Sequence, residues 1–297
     1  MRRHLIFGYG LVAYGFFLAA FLYAIGFLTV GLVPKSIDTG PAVPLWEAIL
    51  VNSLLLGAFA VQHTIMARPA FKRWWTQIIP PAMERSTFVL AASLLLLLLF
   101  WQWRPIPGML WQVEHPVGWT LLTGISLLGW ATVLYTSFLI DHFDLFGLRQ
   151  VFLNWRGQPY THPRFIERSL YRVIRHPLMA GFLVAFWFTP TMTYGHLLFA
   201  GLTTAYIFIG VAFEERDLVR ALGPQYLDYR ARTPMLCPYS VLTRWFHPGN
   251  AEPSGGAEQQ SLLLGDGELL RETDQQPVLL DGGGAAQGDG SAIHPTG

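Results

Sequence analysis

Long apolar stretches recur along this chain, and most are long enough to cross a lipid bilayer. A membrane-spanning helix needs about 20 mostly apolar residues, and the candidates are 5–33, 45–67, 86–103, 117–140, 178–194 and 196–213. Only 13% of the residues are charged, whereas soluble domains usually carry about 25%. The pattern predicts an all-α, polytopic transmembrane helical bundle with five or six spans. The last two stretches are short, and we expect them to form a tight helical hairpin.

The basic residues predict how the spans are oriented. With six crossings, the basic residues that precede the C-terminal tail divide unequally between the two sides of the membrane. Only Lys35 and Arg104 lie on one side, and all the others lie on the opposite side. Basic residues favour the cytoplasmic side of a membrane, so we expect a multi-pass protein with both termini in the cytoplasm. The basic residues assigned to that side are Arg2, Arg3, Arg68, Lys72, Arg73, Arg85, Arg149, Arg156, Arg164, Arg168, Arg172, Arg175, Arg216, Arg220, Arg230, Arg232 and Arg244.

The C-terminal 50 residues differ in composition from the rest of the chain. Residues 248–297 contain no aromatic side chain and are rich in Gly, Gln, Asp and Glu. Such a segment buries too little apolar surface to offset its ordering entropy. We therefore expect a membrane domain over 1–247 and a disordered cytoplasmic tail over 248–297. Cys237 is the single cysteine, so neither a disulfide nor a cysteine-rich metal site is expected.

Two polar clusters stand where apolar stretches meet water. Asp141, His142, Asp144 and Arg149 follow the fourth stretch, and Arg175-His176-Pro177 leads into the fifth. Proline suits the first turn of a helix, so we expect Arg175 and His176 at a helix N-terminus. That end attracts anionic groups such as a carboxylate. The alternative is a basic anchor at the membrane interface.

The sixth stretch is followed by acidic and then aromatic residues. Glu214 and Glu215 could pair with nearby arginines, or could hold a cationic ligand group such as an ammonium or a sulfonium. Tyr226 and Tyr229 follow Gly223-Pro224 with a spacing that places them on one face of a short helix. Aromatic faces attract cations, although tyrosines are also common in aromatic belts at the membrane surface.

The order of these pieces is more specific than any one of them. The series Arg175-His176-Pro177, apolar hairpin, Glu214-Glu215 and Gly223-Pro224-Gln225-Tyr226-Leu227-Asp228-Tyr229 resembles the isoprenylcysteine carboxyl methyltransferase family over about residues 170–238. The resemblance implies S-adenosyl-L-methionine as cofactor, in a pocket built by about 141–238 with C-terminal cytoplasmic helices. In this sequence Met179 stands where that family commonly has tyrosine. The cofactor-binding residues that it implies are Arg175, His176, Pro177, Gly181, Glu214, Glu215, Tyr226 and Tyr229.

A closer resemblance covers nearly all of 5–240. The segments 33–38, 62–69, 101–107, 142–149 and 175–179 look like those of the methanethiol S-methyltransferases, bacterial membrane enzymes that form dimethyl sulfide. This implies a small thiol as substrate, the lipid bilayer as surroundings, a bacterial inner membrane as location and no nucleic-acid partner. His142, Arg149 and Tyr229 are the residues we expect to activate the thiol.

Two alternatives remain open from the residues alone. The same cofactor could serve another acceptor, such as a prenylated cysteine carboxylate or another lipid-borne group. The chain could also be a transport or assembly protein. Transporters often have broken helices with charged residues near the middle of the membrane, and no charged residue lies near a span centre here. Within the second stretch, Asn52 and His63 share a helix face about 16 Å apart. For His63, a hydrogen bond between helices or a place in a pocket would explain a polar residue within a span.

Overall fold

The computed structural model describes residues 1–30, 33–161 and 169–237, and it confirms an all-α helical bundle. Five of its helices are long and apolar enough to span a membrane. The tail, together with Arg164, Arg168 and Arg244 from the orientation argument, lies outside the described residues. The helices are Arg2–Ile25 (α1), Leu45–Ala67 (α2), Pro69–Trp75 (α3), Glu84–Gln102 (α4), Pro116–Ile140 (α5), His142–Leu145 (α6), Leu148–Arg156 (α7), Pro177–Trp187 (α8), Tyr194–Leu222 (α9) and Pro224–Arg232 (α10).

Short elements complete these helices. A π-helical turn, Gly26–Val30, continues α1, and 3₁₀ turns lie at Pro81–Met83 and Ser169–Arg172. Prolines stand in the first turn of α3, α5, α8 and α10, where their missing N–H leaves no backbone hydrogen bond unmade.

The predicted hairpin of two short helices is wrong in its first half. Helix α8 ends at Trp187 after 11 residues, which span only about 16 Å of a hydrocarbon core about 30 Å thick. The chain then continues as strand β2, Thr191–Thr193, which pairs antiparallel with β1, Met109–Gln112. Helix α9 is longer than predicted, because it continues through the polar residues that follow Phe213.

The β1–β2 pair marks one end of the bundle, which we call the ribbon end. The N–H of Val113, just before α5, donates to the carbonyl of Pro190, just after α8. Since Ser126 of α5 also donates to the carbonyl of Ala185, α5 and α8 run antiparallel side by side. Helix α8 and its extended continuation thus cover the same height as α5, and the described chain passes between the two ends six times.

Glycines allow α5 and α8 to pack closely. A Cβ added to Gly129 would lie 2.5 Å from the backbone nitrogen of Ala185, and one added to Gly181 would lie 2.9 Å from the carbonyl oxygen of Gly129. Small residues at such positions let helix backbones approach in a membrane, where van der Waals packing drives association. The main apolar cluster lies beside this contact and includes Phe27, Leu99, Phe100, Trp103, Trp130, Phe186 and Phe199.

The two polar residues predicted on α2 have different surroundings. The amide of Asn52, which is fully buried, donates to the carbonyl of Arg104 at 2.7 Å and accepts from its N–H at 2.9 Å. These two hydrogen bonds fix α2 to the segment that follows α4. The ring of His63 packs against Phe59 and Phe88, and its Nδ1 has no hydrogen-bond partner among the described residues.

Candidate functional site

At the end of the bundle opposite the ribbon, which we call the basic end, α8 begins against the last turns of α9. Nε and Nη2 of Arg175 each lie 2.7 Å from Oε1 of Glu215, and Nε2 of His176 lies 3.2 Å from the same oxygen. The three side chains are 9%, 10% and 5% exposed in the order Arg175, Glu215, His176. We call these residues and Glu214 the charge cluster. The sequence analysis allowed the two glutamates to pair with nearby arginines, and the structure brings Arg175, His176 and both glutamates together.

The same arginine also holds the segment that follows α10. Its Nη1 donates to the carbonyls of Arg230 and Thr233, and its backbone N–H donates to the carbonyl of Pro234. All three guanidinium nitrogens of Arg175 therefore contact protein oxygens. The residue joins the start of α8, the end of α9 and the chain after α10.

The two adjacent glutamates point in different directions. Successive residues of a helix lie about 100° apart around its axis, so Glu215 is buried while Glu214 is 45% exposed. Oε2 of Glu214 lies 3.6 Å from Nδ1 of His176, and Oε2 of Glu215 lies 3.6 Å from Nε of Arg230. One carboxylate is thus held inside the cluster, and the other faces outward beside it.

Helix α10 places both predicted tyrosines against the end of α9. Gly223, with a φ of +56°, allows the turn between the two helices, and Tyr226 and Tyr229 are both buried on the inner face of α10. The hydroxyl of Tyr229 donates to the carbonyl of Tyr171 at 2.6 Å. The hydroxyl of Tyr226 has no hydrogen-bond partner in the described part of the chain. Burial, with Glu215 nearby, raises the pKa of Tyr226 to about 12, so this buried hydroxyl is a donor that a ligand could satisfy.

A cavity of about 380 Å³ opens beside the cluster, a volume typical of small-molecule sites. Four of the residues around it are apolar, and three are charged. Glu215 belongs to both the cavity and the charge cluster, whereas Arg175, His176, Tyr226 and Tyr229 do not line the cavity. The lining residues are Phe208, Val211, Ala212, Glu215, Arg216, Arg230 and Met235.

His142 lies in a second cluster, after the end of α5. Asp141 precedes it with a φ of +138° and caps α6 by accepting from the N–H of Asp144. Nδ1 of His142 lies 2.8 Å from Oγ of Ser137, and Nε2 lies 2.8 Å from the hydroxyl of Tyr14. Since Ser137 donates its own hydroxyl proton to the carbonyl of Leu134, it accepts from Nδ1–H, and Nε2 accepts from Tyr14.

Burial favours the neutral form of this histidine. Its ring stacks on Phe138 at 4.2 Å between centroids and is 3% exposed as a residue. Burial lowers the pKa of His142 from its ordinary value, although the carboxylate of Asp141 acts in the opposite direction. Because both ring nitrogens have protein partners, the imidazole is held in place and contacts a ligand only if Tyr14 moves.

Arg149 is likewise held by the protein. Its Nη1 lies 3.0 Å from Oδ1 of Asp144, and its Nη2 donates to the hydroxyl of Thr161 at 2.8 Å. Tyr160 donates its hydroxyl to the same carboxylate at 3.0 Å. Burial raises the pKa of Asp144, while hydrogen bonds from Arg149 and Tyr160 act to lower it.

Of the residues that we expected to activate a thiol, Tyr229 lies on α10 beside the end of α9, whereas His142 begins α6 and Arg149 lies on α7. Their role in activating a thiol stays a prediction. Two of the expected cofactor-binding residues contribute to the structure of α8 and its packing. Pro177 forms the first turn of α8, and Gly181 faces α5 rather than the cavity, because any Cβ there would meet Gly129.

Sequence reasoning missed three residues that complete these sites. Tyr14 lies 128 positions before His142, and no local pattern could connect them. Met235 lines the cavity after α10 has ended. Arg230 directly follows Tyr229 on α10. Because neighbouring helix residues point in different directions, a residue next to an inward-facing tyrosine could have been predicted at the edge of the site.

Several curated proteins that are about half identical to this chain carry the same name. The chain is 56% identical over 239 residues to the methanethiol S-methyltransferase of Mycobacterium tuberculosis, and the match covers 80% of this chain and 98% of that protein. It is also 56% identical over 230 residues to methanethiol S-methyltransferase 2 of Bradyrhizobium diazoefficiens, covering 77% of this chain and 88% of the relative. A Nurim homologue of Drosophila pseudoobscura pseudoobscura is more distant, with 30% identity over 177 residues, 57% of this chain and 70% of its own. No protein-family model and no solved structure matches the chain.

Proposed function

Because the chain belongs to the methanethiol S-methyltransferase family, we propose that it methylates methanethiol to dimethyl sulfide with S-adenosyl-L-methionine as methyl donor. The observation that carries the acceptor is the 56% identity to a relative of that name over 98% of the relative's length. The cofactor rests on the charge cluster, the cavity beside it and the unsatisfied hydroxyl of Tyr226.

Side chains that line the cavity, or that lie in the neighbouring charge cluster and on α10, fit the chemical groups of this cofactor. Glu214 and Glu215 suit its ammonium and sulfonium, and Arg216 and Arg230 suit its carboxylate. The buried hydroxyl of Tyr226 offers a further donor. When bound, S-adenosyl-L-methionine supplies a methyl group on a positively charged sulfur.

The geometry refines the roles that the sequence suggested. Arg175 was expected to bind the cofactor carboxylate, but protein oxygens occupy all three of its guanidinium nitrogens. We propose instead that Arg175 and His176 position Glu215, while Glu214, which is 45% exposed, forms the edge that a ligand would reach. Tyr229, whose hydroxyl is held by the Tyr171 carbonyl, would form a wall of the site.

The protein's main contribution to the reaction would be positioning. Holding two reacting groups in the right geometry contributes about 7–11 kcal/mol in well-oriented intramolecular reactions. The apolar wall of Phe208, Val211 and Ala212 would exclude water and suit a small apolar thiol. A thiol with a pKa near 8.5 is mostly protonated at neutral pH, so its proton must pass to a base as the methyl group is transferred.

We also propose that the basic end faces the cytoplasm of a bacterium, with both termini on that side. Arg3, Arg68, Arg149 and Arg175 all lie at this end of the described bundle, as the positive-inside rule requires. A reporter fused after Arg244 would give a cytoplasmic signal, and a periplasmic signal would contradict the orientation.

Cofactor binding and product formation test the proposed reaction separately. Calorimetry on detergent-purified protein should detect S-adenosyl-L-methionine, and His176→Ala and Glu214→Gln should each weaken its binding about 10- to 100-fold, by the usual strength of charge-assisted hydrogen bonds. The matched control is Asp217→Asn, which removes an exposed carboxylate from the same helix. Unchanged affinity in both site variants would refute the proposed cofactor site.

The acceptor is tested with membranes and labelled cofactor. Membranes supplied with methanethiol should release labelled dimethyl sulfide into the headspace, and membranes that carry Glu214→Gln should release much less. A prenylated cysteine analogue serves as competing acceptor in a parallel reaction. Label in the prenyl ester and none in the headspace would overturn the thiol as acceptor while leaving the methyltransferase class in place.

A further inference from the structure

A second cavity, of about 530 Å³, lies at the basic end between α3, the turn that follows it and α7. None of its lining residues lines the cavity beside the charge cluster. We call it the α3 cavity. Pro69, Pro80 and Pro81 form part of its rim, and because proline fixes its own φ, this rim is stiff in the absence of a ligand.

The lining of the α3 cavity favours an anion. Lys72, Arg73 and Arg85 contribute three positive charges, against the single negative charge of Glu84. The guanidinium of Arg73 makes no ion pair with a carboxylate of the described residues, and it is exposed at the cavity mouth. The excess charge is +2, which suits a phosphate or phosphodiester group.

The position of the cavity indicates that the anion belongs to a lipid. Helix α2 ends at Ala67 and α4 begins at Glu84, so the cavity lies where two spans leave the hydrocarbon core. Trp74 is 52% exposed and Ile78 is 60% exposed beside it. Tryptophan is enriched at the headgroup level of membranes, whereas a soluble phosphate would gain nothing from exposed Trp and Ile side chains.

We propose that the α3 cavity binds the headgroup of an anionic glycerophospholipid. Lys72 and Arg73 contact its phosphodiester, and the polar side chains of Gln150 and Asn154 on the opposite wall face its headgroup. Trp74 and Ile78 contact the start of its acyl chains. Basic pockets at the ends of membrane helices bind anionic headgroups by this combination of charge and depth.

Native mass spectrometry after reconstitution with equimolar phosphatidylglycerol and phosphatidylcholine of matched chains tests the proposal. Wild-type protein should retain phosphatidylglycerol in preference to phosphatidylcholine. Each basic residue near a membrane surface contributes about fivefold to the binding of anionic lipid, so the double variant Lys72→Gln/Arg73→Gln should lose that preference by about 25-fold.

Two matched variants make the result specific to the cavity. Arg220→Gln removes a basic side chain at the same end of the bundle but outside the cavity, and it should retain the wild-type preference. Arg73→Lys keeps the charge and should retain most of the preference, even if the double variant folds poorly.

Four results would overturn the proposal. They are equal retention of the two lipids by wild-type protein, an equal loss of preference in Arg220→Gln, displacement of phosphatidylglycerol by inorganic phosphate at similar concentration, and displacement by S-adenosyl-L-methionine. The last result would assign the cavity to the methyl donor. Methyl transfer in detergent should be unchanged in the double variant, so a failure of the lipid proposal is distinguishable from a failure of the proposed reaction.

Discussion

Replacement of Glu215 by glutamine would measure how strongly the charge cluster holds the C-terminal part of the fold. Arg175 is 9% exposed and Glu215 is 10% exposed, so the pair is shielded from water. Removing one partner of such a pair costs about 3–5 kcal/mol, because the remaining charge stays buried. Glutamine keeps an oxygen that can accept from Arg175, and neutral hydrogen bonds are about half as strong as charged ones. We therefore expect Glu215→Gln to destabilise the fold by about 2 kcal/mol.

The matched control lies two residues away on the same helix. Asp217 contacts Arg68 at 3.4 Å and Arg220 at 3.6 Å, but it is 54% exposed. Exposed ion pairs contribute about 0–1 kcal/mol, so Asp217→Asn should have little effect although it removes the same charge.

Thermal unfolding in detergent measures the difference between the two variants. One kcal/mol corresponds to about 2–4 °C in a domain of this size, so Glu215→Gln should lower the midpoint by about 4–8 °C and Asp217→Asn by no more than about 4 °C. Equal midpoints for the two variants would refute the inference that Arg175 and Glu215 form a shielded pair that joins α8, α9 and the chain after α10.

Three further predictions concern other parts of the bundle. Gly129→Ala should destabilise the protein by about 1–3 kcal/mol, because its Cβ would meet α8, whereas Gly124→Ala on the same helix meets nothing within 4 Å and should be neutral; size-exclusion profiles after heating would show whether the two differ. Asn52→Ala should cost about 2–4 kcal/mol, because the N–H and carbonyl of Arg104 lose their partners, and a thermal midpoint close to the wild-type value would contradict this. The folded-state pKa of His142 lies below its ordinary value of 6.5, so the unfolded chain binds protons more readily. Its contribution to stability is then complete above about pH 6.5 and is lost as the pH falls toward and through the folded-state pKa; midpoints from pH 7.5 to 5 should fall more steeply for wild type than for His142→Gln.

The sequence predicted the spans well because a span is a local property. An apolar stretch in lipid must satisfy its own backbone hydrogen bonds, so α2, α4 and α5 agree closely with 45–67, 86–103 and 117–140. Helix α1 and its π-helical turn cover residues 2–30, against the predicted 5–33. Hydropathy did not predict the end of a helix that continues from lipid into water. Helix α9 extends nine residues beyond Phe213, because the end of the lipid phase is not a signal that stops a helix.

The short α8 had a signal that the prediction did not use. Pro190 lies inside the stretch 178–194, and the residue before a proline disfavours helical dihedral angles. The helix ends at Trp187, and Phe188 and Thr189 are already outside it. Apolar composition outweighed the proline in the prediction, although an extended segment that pairs with β1 also satisfies its backbone hydrogen bonds.

The candidate site was predictable in its charges but not in its connections. Arg175 and Glu215 have opposite charges at the ends of consecutive apolar segments, so their meeting followed from topology. The attachment of Tyr14 to His142 joins residues 128 positions apart, and it depends on how α1 packs beside the end of α5. Such a contact is a property of tertiary packing, and one sequence contains no periodic signal for it.

The position of the charge cluster is set partly from within the membrane. His176 precedes the first turn of α8, and that helix is fixed against α5 by the contact between Gly129 and Gly181. A shift of α8 by one turn along α5 would move His176 by about 5.4 Å, which exceeds its 3.2 Å contact with Glu215. The close packing of two glycines therefore determines whether His176 and Glu215 can meet.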